Sequence, residues 1–184
     1  ILANHPINID RMKKGLNPAN SLWFWGAGTR PCVTSFEEKN NKKGAMISAV
    51  DLLKGIAVGA GMKVIEVEGA TGLETNYEGK ASAAVDVLLN EGYDLAYVHV
   101  EAPDEMGHQG SVERKVKAIE NLDKRVIKVI TEAMDKSGED YRLLVMPDHP
   151  TPICVRTHTS DPVPYMLYDS TDLKHEKHDY NEKC

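Results

Sequence analysis

The sequence predicts an α/β protein, a three-layer α/β/α arrangement around a mostly parallel sheet. From residue 44 onward, apolar runs of strand length alternate with helical patterns, and β-α-β-α-β order favours a parallel sheet with helices on its faces. Acidic and histidine residues gather directly after two of these runs, in EAPDEMGHQG (101–110) and MPDHPTPICVRTHTSDPVP (146–164). That is where open α/β sheets place their ligands, beyond the carboxyl ends of the strands.

GAMIS (44–48) reads as a short strand. In AVDLLKGIAVGAG (49–61), Val50, Leu53, Ile56 and Ala57 recur at helical spacing and the pattern stops at glycines, as a helix does. KVIEVEG (63–69) is rich in β-branched residues, and KASAAVDVLLNEG (80–92) reads as a helix closed by Gly92. DLAYVHV (94–100) is apolar enough for a strand covered on both faces. Val112, Val116, Ile119, Val126, Val129, Ile130 and Ala133 then follow steps of three and four, predicting one long helix. YRLLVM (141–146) and VPYMLY (163–168) are the remaining strands, and parallel pairing of 94–100 with 141–146 would bring both acidic loops to one edge. Residues 1–43 differ: NPANSLWFWGAGTRP has no period, so this part reads as a connecting segment in which Trp23 and Trp25 pack the connection. Residues 44–184 read as the metal-binding domain.

A chain of 184 residues can bury one core of ordinary size. Its net charge of -6 and lack of a long Lys/Arg run disfavour nucleic acid, whose phosphates need a concentrated positive surface. No apolar stretch approaches the roughly 20 residues that cross a bilayer. ILANHPINIDRMKKG also lacks the basic-then-apolar order of a signal peptide. The expected compartment is the cytoplasm. Cys32, Cys154 and Cys184 are far apart and form no CxxC pair, so reduced thiols are expected. The chain opens without Met and stops at HDYNEKC, which suggests part of a longer protein.

The chemistry concentrates in Asp104, His108, Asp148, His149 and His158. Carboxylates and imidazoles together suit Mn²⁺ or Zn²⁺ better than Mg²⁺ alone. Two such ions about 3.5–4 Å apart can clamp both oxygens of a phosphoryl transfer. Arg156, inside the His149–His158 loop, is a candidate anion contact, as are Arg11 and Arg30, because a guanidinium fork matches phosphate oxygens. WGAGTRP is neither a Gly-x-Gly-x-x-Gly turn nor a P-loop, which disfavours a nucleotide site. Ser48 sits between a strand and a helix and reads as an N-cap rather than a nucleophile, since no Gly-x-Ser-x-Gly surrounds it.

VHVEAPDEMGHQG, MPDHPTPICVRTHTSDPVP, GAMISAVDLLKGIAVGAGM and GATGLETNYEGKA together resemble the carboxyl-terminal part of a cofactor-independent (2,3-bisphosphoglycerate-independent) phosphoglycerate mutase of the archaeal type, in the alkaline phosphatase superfamily. The resemblance runs from NPANSLWFWGAG to HTSDPVPYMLY. It implies an alkaline-phosphatase-like fold present in part, with residues 1–43 leading out of an inserted substrate domain. It implies two divalent cations, usually Mn²⁺ with Mg²⁺, Zn²⁺ and Co²⁺ as alternatives. The implied glycolytic reaction interconverts 3- and 2-phosphoglycerate through a phosphoserine. Asp104, His108 and His158 match the ligands of one ion, and Asp148 and His149 match ligands of the other. The family's nucleophilic serine and an amino-terminal aspartate have no matching position, so no catalytic residue is assigned and the chain alone is expected to be inactive. Lys54, Asn76 and Lys80 lie in matched segments without a motif that gives them a role. The alternatives are a metal-dependent phosphatase or phosphopentomutase-like enzyme of the same superfamily, or a non-catalytic structural piece.

Overall fold

In the computed structural model, β1 (Gly44–Ile47) is the middle strand of a parallel sheet, between β2 (Lys63–Ile65) and β3 (Leu95–Val98). Ala45 pairs with Lys63 on one side and with Ala96 on the other. The structure describes residues 2–24, 26–29, 31–69, 71, 73–172 and 179–182. The crossovers are α3 (Asp51–Gly59) from β1 to β2 and α4 (Tyr77–Leu89) from β2 to β3. They run in opposite directions along the sheet, so right-handed connections put the two helices on opposite faces. That is the three-layer arrangement, and it explains why every residue of β1 is buried. Full burial of a side chain such as Ile47 contributes about 1.5–3 kcal/mol.

Asn76, not residue 80, starts α4: its side chain accepts the Gly79 N–H at 2.9 Å, an N-cap that satisfies an otherwise unpaired donor. Tyr77, Ala81, Ala84 and Val87 form the buried row of this helix. The alanines let it lie close on the sheet, where Ile47, Ala96 and Val98 meet them in the core. After β3 come α5 (Ala102–His108) and α6 (Val112–Leu122), which supplies Ala118 to the same core.

Two expectations are corrected here. The predicted long helix is α6 and α7 (Lys128–Ser137) joined by a π-helical turn, Asp123–Ile127. A π turn takes in one extra residue and so rotates what precedes it. Val126, Ile130 and Met134 are buried, while Val112, Val116 and Ile119 are exposed. The second correction concerns topology. β4 (Arg142–Val145) pairs antiparallel with β5 (Met166–Asp169) in a separate two-stranded sheet. The strands before the two acidic loops are therefore not paired neighbours, and the loops must meet by other means.

The chain divides into two compact units, residues 1–32 and 33–184. The first holds α1 (Pro6–Lys13), opened by His5 as N-cap with Pro at its first position, where a missing N–H costs nothing. Asn8 is buried and ties the unit: its amide donates to the Leu2 and Ala19 carbonyls at 2.7 Å, and its oxygen accepts from Ala19 N–H. Trp23 does not pack as expected; it is 87% exposed, and Trp25 lies outside the described residues. In the second unit, before β1, α2 (Phe36–Asn40) opens with a capping box from Ser35 and Glu38. No helix among the described residues is long and apolar enough to cross a membrane. Cys32 and Cys154 are free and exposed, and Cys184 lies outside the described residues.

The β4–β5 pair is pinned at one end by Asp169, which accepts from the Arg142 Nε at 2.6 Å and from the Thr171 hydroxyl and amide. The Thr171 and Arg142 hydrogen bonds hold this carboxyl well below the usual carboxylate range. A depressed folded-state pKa gives stability that is present above the unfolded value, 3.8, and is lost as pH falls below it. Asp169→Asn should therefore lower stability at neutral pH and flatten its fall below about pH 4, read by denaturant unfolding across a pH series.

Candidate metal centre

The two acidic loops meet through Thr151. This residue is buried in the loop after β4, and its hydroxyl donates to Asp104 Oδ1 on α5. Its carbonyl takes the Lys115 ammonium of α6 at 2.6 Å. Gly107 makes this approach feasible, since a Cβ there would lie 2.5 Å from the Thr151 carbonyl oxygen. A side chain at residue 107 would push the loops apart.

Around this joint the candidate ligands converge. Asp104, His149 and His158 each bring one ligand atom within 4.8 Å of the others. His158 Nε2 is 3.2 Å from Asp104 Oδ1, and the His149 and His158 rings lie 3.7 Å apart. His108 joins from the last turn of α5, with its Nε2 3.1 Å from His158 Nε2 and 3.4 Å from Asp104 Oδ2. Asp148 stands at the edge, its Oδ2 3.4 Å from His149 Nε2. The structure thus brings four of the candidates around one point, with Asp148 reaching it through His149. His149 and His108 both approach the Asp104–His158 pair, His108 by the distances above and His149 with its Nδ1 4.0 Å from Asp104 Oδ1.

Two rings are oriented by the partners of one nitrogen. His108 Nδ1 lies 2.9 Å from the Arg156 carbonyl, which can only accept, so Nδ1 donates to it. The single Thr151 hydroxyl proton goes to Asp104, so His149 Nδ1, 3.3 Å from Thr151 Oγ1, is placed to donate to that oxygen. Ligating histidines are commonly oriented in this way through their second nitrogen. One carboxylate with neutral imidazoles is a donor set for a borderline divalent ion, and the residues fit one.

Arg156 also contributes through its backbone. Among the described residues it is one of two non-glycine residues with positive φ, at 59°, a conformation that costs roughly 1 kcal/mol or more. That turn aims its carbonyl at His108 and lays its guanidinium against Gly110, where a Cβ would lie 2.4 Å from Nε. Of the other arginines, Arg11 Nε donates to the Asn17 carbonyl, and Arg30 lies outside the described residues. Ser48 is not an N-cap: Val50 holds that position in α3, and the buried Ser48 Oγ accepts the Val50 N–H at 3.0 Å.

Sequence reasoning missed two polar groups behind the ligands, His99, which is partly buried, and Lys80, which is fully buried. His99, just past β3, places Nδ1 3.4 Å from Ser48 Oγ and Nε2 3.9 Å from Asp148 Oδ2. Burial holds its pKa below the ordinary imidazole value, against the pull of Asp148 and Glu101. Lys80 is 0% exposed and donates to the His99 carbonyl at 2.9 Å; burial lowers its pKa while Glu101 and Glu105 raise it. One signal was available for Lys80: position 80 falls in the core-facing row of α4, beside Tyr77, Ala81 and Ala84.

A parallel α/β sheet with an Asp/His cluster in the loops after β3 and β4 suits a metal-binding α/β domain. The chain belongs to the metalloenzyme superfamily, whose family model matches residues 3–183. It is 57% identical over 175 residues to the 2,3-bisphosphoglycerate-independent phosphoglycerate mutase of Methanosarcina barkeri, covering 94% of this chain and 44% of that protein. It is 54% identical to a protein of Geobacter sulfurreducens named as a probable enzyme of the same kind, over 91% of this chain and 42% of the relative. A solved structure from Pyrococcus horikoshii superposes with TM-score 0.74 at 35% identity, covering 93% of this chain and 45% of that one. The cofactor-independent phosphoglycerate mutase of Thermoplasma acidophilum gives TM-score 0.55 at 26% identity, over 99% and 42%. The chain spans less than half the length of these relatives.

Two outcomes are expected in calorimetric titration with Mn²⁺. Asp104→Ala combined with His158→Ala abolishes binding, and equal binding by the double variant would reject the cluster as the site. Thr151→Val, which removes both the Asp104 anchor and the His149 acceptor, weakens binding by about 10–100-fold, the usual loss when a ligand's supporting partner is removed.

Proposed function

We propose that this chain supplies the metal-holding part of a 2,3-bisphosphoglycerate-independent phosphoglycerate mutase, an enzyme that interconverts 3- and 2-phosphoglycerate. The observation that carries the reading is the convergence of Asp104, His149 and His158 in a chain 57% identical to a protein of that name. On this reading Asp104, His108 and His158 serve one divalent ion, and Asp148 and His149 serve a second, with Mn²⁺ the expected metal. Bound divalent ions would supply positive charge to the equatorial oxygens of an in-line phosphoryl transfer.

The chain's own groups do the holding. Thr151 fixes Asp104 and the Arg156 carbonyl orients His108, so both arrive preorganised, which is where electrostatic stabilisation gains its strength. The Arg156 guanidinium beside Gly110 is the candidate contact for the phosphate of a small phosphorylated substrate. Ser48 is buried with its oxygen engaged and does not serve as the phosphorylated nucleophile. The expected setting is cytoplasmic glycolysis, without nucleic acid or membrane.

The test is a chimera in which this chain replaces the matching part of the Methanosarcina barkeri relative. It should convert 3- to 2-phosphoglycerate, and its Asp104→Ala version should not, while the 184-residue chain alone gives no conversion. Release of inorganic phosphate from 3-phosphoglycerate or a generic phosphate ester faster than isomerisation would favour the phosphatase reading instead. Conversion by the chain alone would overturn the assignment of the nucleophile elsewhere.

A further inference from the structure

A fully buried lysine is rare because its ammonium loses its hydration. Lys80 is such a residue, 0% exposed in the core-facing row of α4. Its ammonium is spent on one backbone atom, the His99 carbonyl at 2.9 Å. That carbonyl stands where β3 has ended and the chain turns toward α5, three residues before Ala102. The preceding peptide is also fixed, because His99 N–H donates to the Ile47 carbonyl of β1 at 2.9 Å. Next along the turn, Glu101 buries an Oε1 that accepts no hydrogen bond from a described residue and lies 3.8 Å from His99 Nδ1.

This buried group stands at the root of both candidate loops. The turn that Lys80 holds leads into α5, which carries Asp104 and His108. The ring of the same His99 faces Asp148 from the loop after β4, 3.9 Å away. Because β3 and β4 share no hydrogen bonds, the sheet itself does not register the two loops. Besides the Thr151 joint and the contacts of His108 and Asp104 with the second loop, residue 99 is a further place where one side reaches the other.

We propose that Lys80 is a positioning residue for the metal centre: its buried ammonium fixes the β3-to-α5 turn, and through His99 it sets Asp148 relative to Asp104 and His108. The inference rests on the metal reading given above and goes beyond it in naming a residue that touches neither ion nor substrate. Electrostatics and positioning predict opposite signs. Removing a positive charge beside a cation site should tighten cation binding if charge alone matters, whereas loss of the turn's anchor should loosen it.

The experiment compares wild type, Lys80→Met and Lys80→Gln in the 184-residue chain, by Mn²⁺ calorimetry and by denaturant unfolding without metal. Expected is a Mn²⁺ affinity about tenfold or more weaker in Lys80→Met with cooperative metal-free unfolding retained. Lys80→Gln, which keeps a donor on the same helix position, should fall between. Unchanged or tighter binding in Lys80→Met overturns the proposal. So does loss of cooperative unfolding in both variants, which would make Lys80 a residue of the core alone. If the wild type itself binds no Mn²⁺ the metal reading fails and takes this proposal with it, an outcome distinct from a wild type that binds and variants that match it.

Discussion

The loop-to-helix joint at Thr151 is the contact on which the candidate site depends. One buried residue gives its hydroxyl proton to Asp104, accepts from His149, and offers its carbonyl to Lys115. Each link has a partner on a different segment, so α5, α6 and the loop after β4 are fixed together. The joint needs backbone approach closer than any side chain at Gly107 would allow. A carboxylate and imidazoles held before a cation arrives need no reorganisation when it binds, which distinguishes a site from a group of exposed polar residues.

The order of elements was legible because it rests on periodicity. β1, α3, β3 and α7 fall where apolar spacing puts them, and Gly92 takes the left-handed conformation expected just past a helix. Pairing was less legible. YRLLVM and VPYMLY look like any other apolar strands, and nothing in their composition says that they pair antiparallel apart from the main sheet. The start of α4 was placed late because Asn76 caps the helix from within a stretch that reads as loop. A cap is a local hydrogen bond, while the pattern used to place the helix was apolar spacing.

The site was legible as a set of residue types and illegible as a network. Asp104, His108, Asp148, His149 and His158 could be named because carboxylates and imidazoles after strands have few bland roles in combination. Thr151 could not, since a threonine in a Pro-rich loop has many. The guanidinium of Arg156 is visible in the sequence, whereas the part played by its carbonyl is not; every residue has that atom, and the positive φ at this position aims it at His108. Lys80 left a trace, a charge in an apolar row, but its partner is a backbone oxygen nineteen residues away.

The π-helical turn at Asp123–Ile127 works as a phase element between two ends of the molecule. Its extra residue sets the angular offset between α7, whose Ile130 and Met134 enter the core, and α6, which packs with α5 and supplies Lys115 to Thr151. A substitution in this turn alters one side chain, whereas a one-residue deletion would rotate α6 by about 100° relative to α7, the turn angle per helical residue. That rotation would carry Lys115 away from the joint. Chain length across these five residues is therefore more tightly constrained by the ligand geometry than their identity is, although none of them lies in the cluster.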